Sequence, residues 1–320
     1  MFLFISAGHA PMIICLGTTP AVQRTMMFDR IAIDGVNRTG DVAQYASGKS
    51  VNAGRVLHTL GLPVLCTGFV GGDSGQFLLN DLDDVGLDHH FVRVDRATRM
   101  CITLVDQSTG TATELIEESK APAAVAYEQL KLTLREVLPR AGMVMLCGSL
   151  PPGAPVDFYA GCVADAIQAG KTVLLDATGE PLRRALVSRP SIIKPNRSEL
   201  AQTVNAPVES DVELKSAIMQ MLAMGPKWAV VTNGAKEAVA SDGMGFWKIS
   251  TPSVKVISAI GSGDSFAAGL MAGISSGQSV PDACKLAAAC GAANAMTPLA
   301  GHLKKSDVDL LVQQVTVRPF

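Results

Sequence analysis

Met143-Val-Met-Leu-Cys-Gly-Ser149, a helix-like stretch from Asp157 to Ala169, and Thr172-Val-Leu-Leu-Asp176 together form the chain's clearest structural unit. Both outer segments are unbroken apolar runs rather than alternating ones, the pattern of strands buried on two faces. The stretch between them is long enough for a crossover helix, which a parallel pair requires. The unit recurs outward in both directions. Met12 to Leu16, Val64 to Phe69, Ser191 to Ile193 and Trp228 to Val231 read as strands. Val51 to Leu60, Ser74 to Val85, Tyr127 to Leu138, Val212 to Met224, Asp264 to Ser275 and Val280 to Ala295 read as helices. This alternation predicts an α/β fold with a mostly parallel central sheet covered by helices.

Two regions break the rhythm, about 22–45 and 91–118. In the second, Val92/Val94 and Ile102/Leu104 alternate with polar residues as half-exposed strands do. They read as one small β lid, discontinuous in sequence, on a single domain spanning 12–320. Residues 1–11 read as an N-terminal extension, because the first convincing strand opens at Met12 and Met1 to Ile5 is far too short to span a bilayer.

Of the 320 residues 48% are hydrophobic and 18% charged, enough apolar material for a large core. A formal charge of −2 and the lack of any Lys/Arg stripe exclude a nucleic-acid or anionic-membrane binder. An anionic ligand therefore needs a local site. Seven cysteines without a CxxC pair fit free thiols in a reducing compartment, the cytoplasm.

In an open parallel sheet, ligands bind beyond the carboxyl ends of the strands. Four runs end there in polar groups: Gly148-Ser149, Asp176, Lys194-Pro-Asn196 and Thr232-Asn-Gly234. The sharpest segment is Ser258-Ala-Ile-Gly-Ser-Gly-Asp-Ser-Phe-Ala-Ala-Gly269. Gly261, Ser262 and Gly263 can aim successive backbone N–H groups at one point, and the start of the following helix adds partial positive charge. An anion is favoured there. Taken alone Asp264 reads as a plain N-cap; beside an anion hole, which would repel an idle carboxylate, it reads as the base that takes a proton from an attacking hydroxyl.

With these residues the chain resembles the ribokinase-like, or PfkB, carbohydrate kinases from Met12 onward. Gly68-Phe-Val-Gly-Gly-Asp73 is similar to the family's first signature and Gly261-Ser-Gly-Asp264 to its second. Gly148-Ser-Leu-Pro-Pro-Gly153, Lys194-Pro-Asn-Arg-Ser-Glu199 and Thr297-Pro-Leu-Ala-Gly301 resemble the branch of 1-phosphofructokinase and tagatose-6-phosphate kinase. The resemblance implies a three-layer ribokinase-like core with a β lid, ATP as donor, magnesium, and pairing of two copies through the lid. It makes Asp264 the catalytic base and assigns charge stabilisation to the amides of Gly261, Ser262 and Gly263. Asn196 and Glu199 would organise magnesium through water, although Asn followed three residues later by Glu is also a capping box. Lys194, Thr232, Gly234 and Asn294 fall on the nucleotide side.

On the acceptor side, Ser47-Gly-Lys-Ser-Val-Asn52 resembles the branch's Gly-Gly-Lys-Gly-x-Asn element, with serines at two of its glycines. Gly48, Lys49, Asn52, Ser149 and Arg99 are the implied contacts, with Lys49 and Arg99 on a phosphate already present. Gln23 stands where the family usually has an aspartate; it can donate and accept but brings no charge. The leading expectation is phosphorylation of fructose 1-phosphate to fructose 1,6-bisphosphate, with tagatose 6-phosphate or fructose 6-phosphate as alternatives. A catalytically weak sugar-phosphate-binding protein is the reading of a different class. A dinucleotide oxidoreductase is disfavoured, because Gly17-Thr-Thr-Pro20 replaces the GxGxxG that would follow the first strand.

Overall fold

The apolar runs divide their side chains between two cores, as strands buried on both faces must. Ile13 and Cys15 pack on one side and Ile14 and Leu16 on the other; Met143, Met145 and Cys147 likewise oppose Val144 and Leu146. The computed structural model describes residues 11–320, so most of the expected N-terminal extension lies outside the described residues. In chain order, β1 (Met12–Gly17), β2 (Ala21–Phe28) and β3 (Val42–Ser47) lead into α1 (Lys49–Thr59), β4 (Val64–Val70) and α2 (Gly72–Asp84). Next come β5 (Val92–Arg93), β6 (Arg99–Asp106), β7 (Thr111–Ile116) and α3 (Ala124–Val137). They are followed by β8 (Ala141–Cys147), α4 (Phe158–Gln168), β9 (Thr172–Asp176), α5 (Gly179–Leu186), β10 (Ile192–Ile193), α6 (Arg197–Val204), α7 (Asp211–Ala223) and β11 (Trp228–Asn233). Then β12 (Lys236–Ser241), β13 (Phe246–Ile249), α8 (Ser262–Ser275), α9 (Val280–Ala295), α10 (Lys305–Leu311) and β14 (Val317–Pro319) complete the described strands and α-helices.

The large sheet has the order β14-β13-β12-β11-β10-β9-β8-β1-β4-β5. It is parallel from β11 through β5, and β12 to β14 add an antiparallel edge. Helices α1, α2, α8 and α9 cover the face of Ile13, while α3, α4, α5 and α7 cover the face of Ile14. A separate four-stranded sheet, β3-β2-β6-β7, takes its strands from both sides of the α1-β4-α2 unit.

Three differences from the sequence reading have physical causes. Val92–Arg93 extends the large sheet beside Phe69 and Val70, so the small sheet takes up the second segment only at Arg99. The edge strands β12 to β14 were not anticipated, nor were the short helices α5, α6 and α10. The last are 7–8 residues long, with too few turns to build a periodic pattern. Finally, α8 begins at Ser262, two residues before Asp264. No helix among the described residues is long and apolar enough to cross a membrane, and all seven cysteines are buried free thiols.

Candidate active site

Parallel pairing brings the ends of β8, β9, β10 and β11 to one rim. Backbone bonds knit it together: Gly148 N donates to Asp176 O at 2.8 Å, Lys194 N to Leu175 O at 3.2 Å, and Thr232 N to Pro195 O at 3.1 Å. Asp176 is only 2% exposed, yet it lies between two ammonium groups, Lys49 Nζ at 3.0 Å and Lys194 Nζ at 3.1 Å. Burial works to raise its carboxyl, but Lys194 and Lys49 more than reverse this and hold it below the usual carboxylate range. Burial would likewise strip Lys49 of its proton, and Asp176, then Asp264 and Glu199, raise it instead. Both partners are ionised at neutral pH.

Asp264 completes this cluster. Gly261 precedes the helix at φ 80°, a left-handed turn, and Ala300 packs where its Cβ would be, so only glycine fits. The turn puts Asp264 inside the first turn of α8 rather than at its cap, and no side chain caps that helix. Its carboxylate accepts from Asn52 Nδ2 at 2.8 Å. Burial pushes the carboxyl up to about 6, against the pull of Lys49, the Asn52 hydrogen bond and Lys194, while Asp176 pushes it further up. The amides of Gly261 and Gly263 find no acceptor among the described residues, whereas that of Ser262 donates to Ala259 O at 3.1 Å. This is a correction within the expected anion hole: the tight turn before α8 consumes the Ser262 amide.

Asn294, expected on the nucleotide side, is fully buried and bonded to the start of α8 and to two loops. It donates to Ile260 O at 2.8 Å and Ser262 Oγ at 3.2 Å, and accepts from Gly301 N at 2.8 Å and Ser265 Oγ at 3.1 Å. It is a strut rather than a pocket wall. Asn196 and Glu199 form the full capping box of α6, with Glu199 Oε2 on Asn196 N and Asn196 Oδ1 on Glu199 N, both at 2.8 Å. The other carboxylate oxygen of Glu199 is left over. Thr232 bridges to Asn196 across the rim, and Gly234 is exposed in the β11–β12 turn.

The small sheet turns a polar face inward. Register places Ser47 and Arg99 opposite Ala21, Tyr45 and Cys101 opposite Gln23, and Thr103 opposite Thr25, all on one side. Gln23 Nε2 donates to Thr103 Oγ1 at 2.8 Å, and Tyr45 Oη accepts from Ala300 N at 3.0 Å. Such bonds offset the cost of burying these polar strand positions. Next to them is a cavity of about 350 Å³, bounded among others by Thr18, Pro20, Arg96, Arg99 and Lys120. Arg99 leans on its wall, donating to Thr19 O at 3.1 Å and Glu117 O at 3.2 Å, while its Nε is buried without a partner. Ser149 is exposed at the rim, and its carbonyl accepts from the Thr18 hydroxyl at 3.2 Å. Gly48, at φ 103°, lets Pro20 press to within 2.8 Å of where a Cβ would sit, linking the Lys49 loop to the cavity. The sequence reading missed Asp176 as the hub of the lysines. Its signal was a carboxylate closing a wholly apolar strand.

One family model and three known proteins show what the chain is similar to. A model described as pfkB family carbohydrate kinase matches residues 11–305. A tagatose-6-phosphate kinase of Staphylococcus epidermidis is 33% identical over 309 residues, covering 96% of this chain and 99% of its own. Escherichia coli phosphofructokinase-2, solved in complex with potassium, superposes with a TM-score of 0.88 at 22% identity, covering 96% of this chain and 99% of that one. Arabidopsis thaliana ribokinase, solved with ribose and ATP, gives 0.74 at 20% identity, covering 95% and 99%. These two structural likenesses establish the ribokinase-like fold.

Proposed function

The chain belongs to the pfkB family of carbohydrate kinases, ATP-dependent enzymes, and from that premise we propose that its acceptor is a ketohexose already carrying one phosphate. The observation that carries this reading is the cavity beside the inward polar face, whose lining includes three cations, Arg96, Arg99 and Lys120. A charge-assisted contact to phosphate suits such a guanidinium. Fructose 1-phosphate is the first acceptor to test; tagatose 6-phosphate, favoured by the Staphylococcus relative's name, is the second.

In this reading the acceptor's free hydroxyl meets Asp264, which takes its proton as the oxygen attacks the γ-phosphorus of ATP; the bond from that phosphorus to the β–γ bridging oxygen breaks and ADP leaves. The amides of Gly261 and Gly263, the start of α8 and the Lys49 ammonium face the charge on the transferring group, where positioned charge does most of the work of phosphoryl transfer. Lys194 holds Asp176, and through it Lys49, in place. Thr232 and Gly234 bound the nucleotide side, with Gln23 and Ser149 on the sugar. The donor set suits magnesium held mainly through water and phosphate oxygens. Glu199 keeps one free oxygen, Asn196 lies beside it, and no cluster of three ligating side chains occurs among the described residues. When bound, magnesium would neutralise phosphate charge there.

ADP release with fructose 1-phosphate, tagatose 6-phosphate and fructose 6-phosphate tests the assignment, and failure with all three would remove it. Arg99→Met should lower kcat/KM on the preferred ketose phosphate by about ten- to a hundredfold and leave the matching free ketose unchanged. An equal loss on both would detach Arg99 from the phosphate. Pairing of two copies through the small sheet is part of the same proposal, supported by Leu115 and Ile116, about half exposed on β7. Sedimentation of the full chain should give a dimer that Leu115→Lys dissociates; a monomeric wild type would refute the pairing.

A further inference from the structure

We infer that Ser47 and Asn52 form a strut that decides which oxygen of Asp264 receives the acceptor's proton, with Ser47 as its anchoring, positioning residue. The inference rests on the kinase reading in which Asp264 is the base. Three side chains from three elements make the strut: Ser47 Oγ at the end of β3 donates to Asn52 Oδ1 at 2.9 Å, and Asn52 Nδ2 in α1 donates to Asp264 Oδ2 in α8 at 2.8 Å. All three are buried, with exposures of 4%, 5% and 9%.

The direction of these bonds follows from chemistry. An ionised carboxylate only accepts, so Asn52 must turn its NH₂ to Asp264. The amide oxygen then faces Ser47, whose hydroxyl is left to donate. Asn52 cannot withdraw, because Gly301 packs so closely that a Cβ there would lie 3.0 Å from the Asn52 Cα. With Oδ2 occupied, Oδ1 is the oxygen left for the acceptor. Without the Ser47 hydroxyl, the buried amide oxygen loses its donor and nothing holds the amide against turning. A turned amide would set oxygen against carboxylate. Serine stands here at one of the two positions where the resembling element has glycine, so the anchor belongs to this chain.

The other charged groups facing Asp264 are Lys49 from α1, Asp176 at the end of β9 and Lys194 after β10. From α9, which packs along α8, the titratable Cys290 lies against Gly269, more than a turn away. The Ser47 hydroxyl bonds to Asn52 and to none of these groups. A change at Ser47 therefore reaches Asp264 through Asn52.

Ser47→Ala should cut kcat about tenfold, change acceptor KM by less than twofold, and move the acid limb of kcat/KM upward by about half a pH unit, because a bond favouring the carboxylate is weakened. Ser47→Thr should restore all three, and Ser47→Ala combined with Asn52→Leu should be no worse than Asn52→Leu alone. Carbon-13 NMR of the Asp264 carboxyl in the full chain reads the same upward shift without turnover. If wild type phosphorylates no ketose phosphate but the NMR midpoint moves in Ser47→Ala, the acceptor assignment fails and the strut stands. An unmoved midpoint, additive losses in the double variant, or a loss confined to KM would overturn the strut.

Discussion

Asp264→Asn is expected to lose at least about two orders of magnitude in kcat while binding Mg-ATP as wild type does, and to gain stability above pH 6. The first effect is what a general base is worth. Asp264 has the position for that role: it caps no helix, it sits beside unpartnered backbone amides, and burial holds its carboxyl near 6, close to working pH. Wild-type kcat/KM should accordingly fall about tenfold per unit as pH drops below that value. The second effect follows from linkage. The folded value lies above the unfolded one of about 3.9, so the folded state favours the protonated acid and is penalised as the group ionises. That penalty is absent below the unfolded value, grows as pH rises toward 6, and is complete above it, on the order of 2–3 kcal/mol. The neutral amide escapes it. Thermal melts at pH 8 and pH 4 should show the variant stabilised at the first and unchanged at the second. Wild-type turnover in the variant would remove Asp264 from the chemistry, and an equal shift in both melts would make the effect one of packing.

What the sequence revealed and what it hid divides along sequence separation. The parallel strands from β11 through β4 were legible because each announces itself locally, as an unbroken apolar run, whereas the edge strands β5 and β12 to β14 were not. Asp264 was legible for the same reason, since three small residues and a helix start surround it. The cluster around it was not. Lys49 meets Asp176 across 127 positions and Tyr45 meets Ala300 across 255, and no local pattern encodes either pairing. Polar residues in apolar settings misled in both directions. Asn294, in an alanine-rich helix, looked aimed at a ligand, yet four hydrogen bonds, two to the start of α8 and two to neighbouring loops, satisfy it. Asp176 was legible as a polar end on the ligand rim but not as the shared partner of two lysines. Asn196 and Glu199 show why one pattern supports two readings, because the capping box consumes only one of the glutamate's two oxygens.

Lys49→Met is expected to lower kcat by about a hundredfold on a ketose phosphate and on the matching free ketose alike. From sequence, Lys49 was expected to hold the phosphate already on the acceptor, which predicts a loss confined to the phosphorylated substrate. The geometry argues otherwise. Its ammonium is 3.0 Å from Asp176 and is held charged by Asp176, Asp264 and Glu199 against the effect of burial, while the guanidinium of Arg99 lines the cavity. A fixed cation facing a transferring phosphoryl group acts on the transition state, and removing one such donor typically costs about 10²–10³ in kcat. Methionine keeps most of the stem's packing, which separates the lost charge from a cavity effect. The substitution also leaves Asp176 with Lys194 alone, so its carboxyl should rise toward the ordinary range. A depressed carboxylate stabilises the fold above its unfolded value and loses that contribution as pH falls through the folded one. In the variant this loss should therefore begin at higher pH, and its melting temperature should fall earlier on acidification than that of wild type. A loss restricted to the phosphorylated ketose would return Lys49 to the acceptor's phosphate. Unchanged kcat with an altered acid melt would reduce it to a structural partner of Asp176.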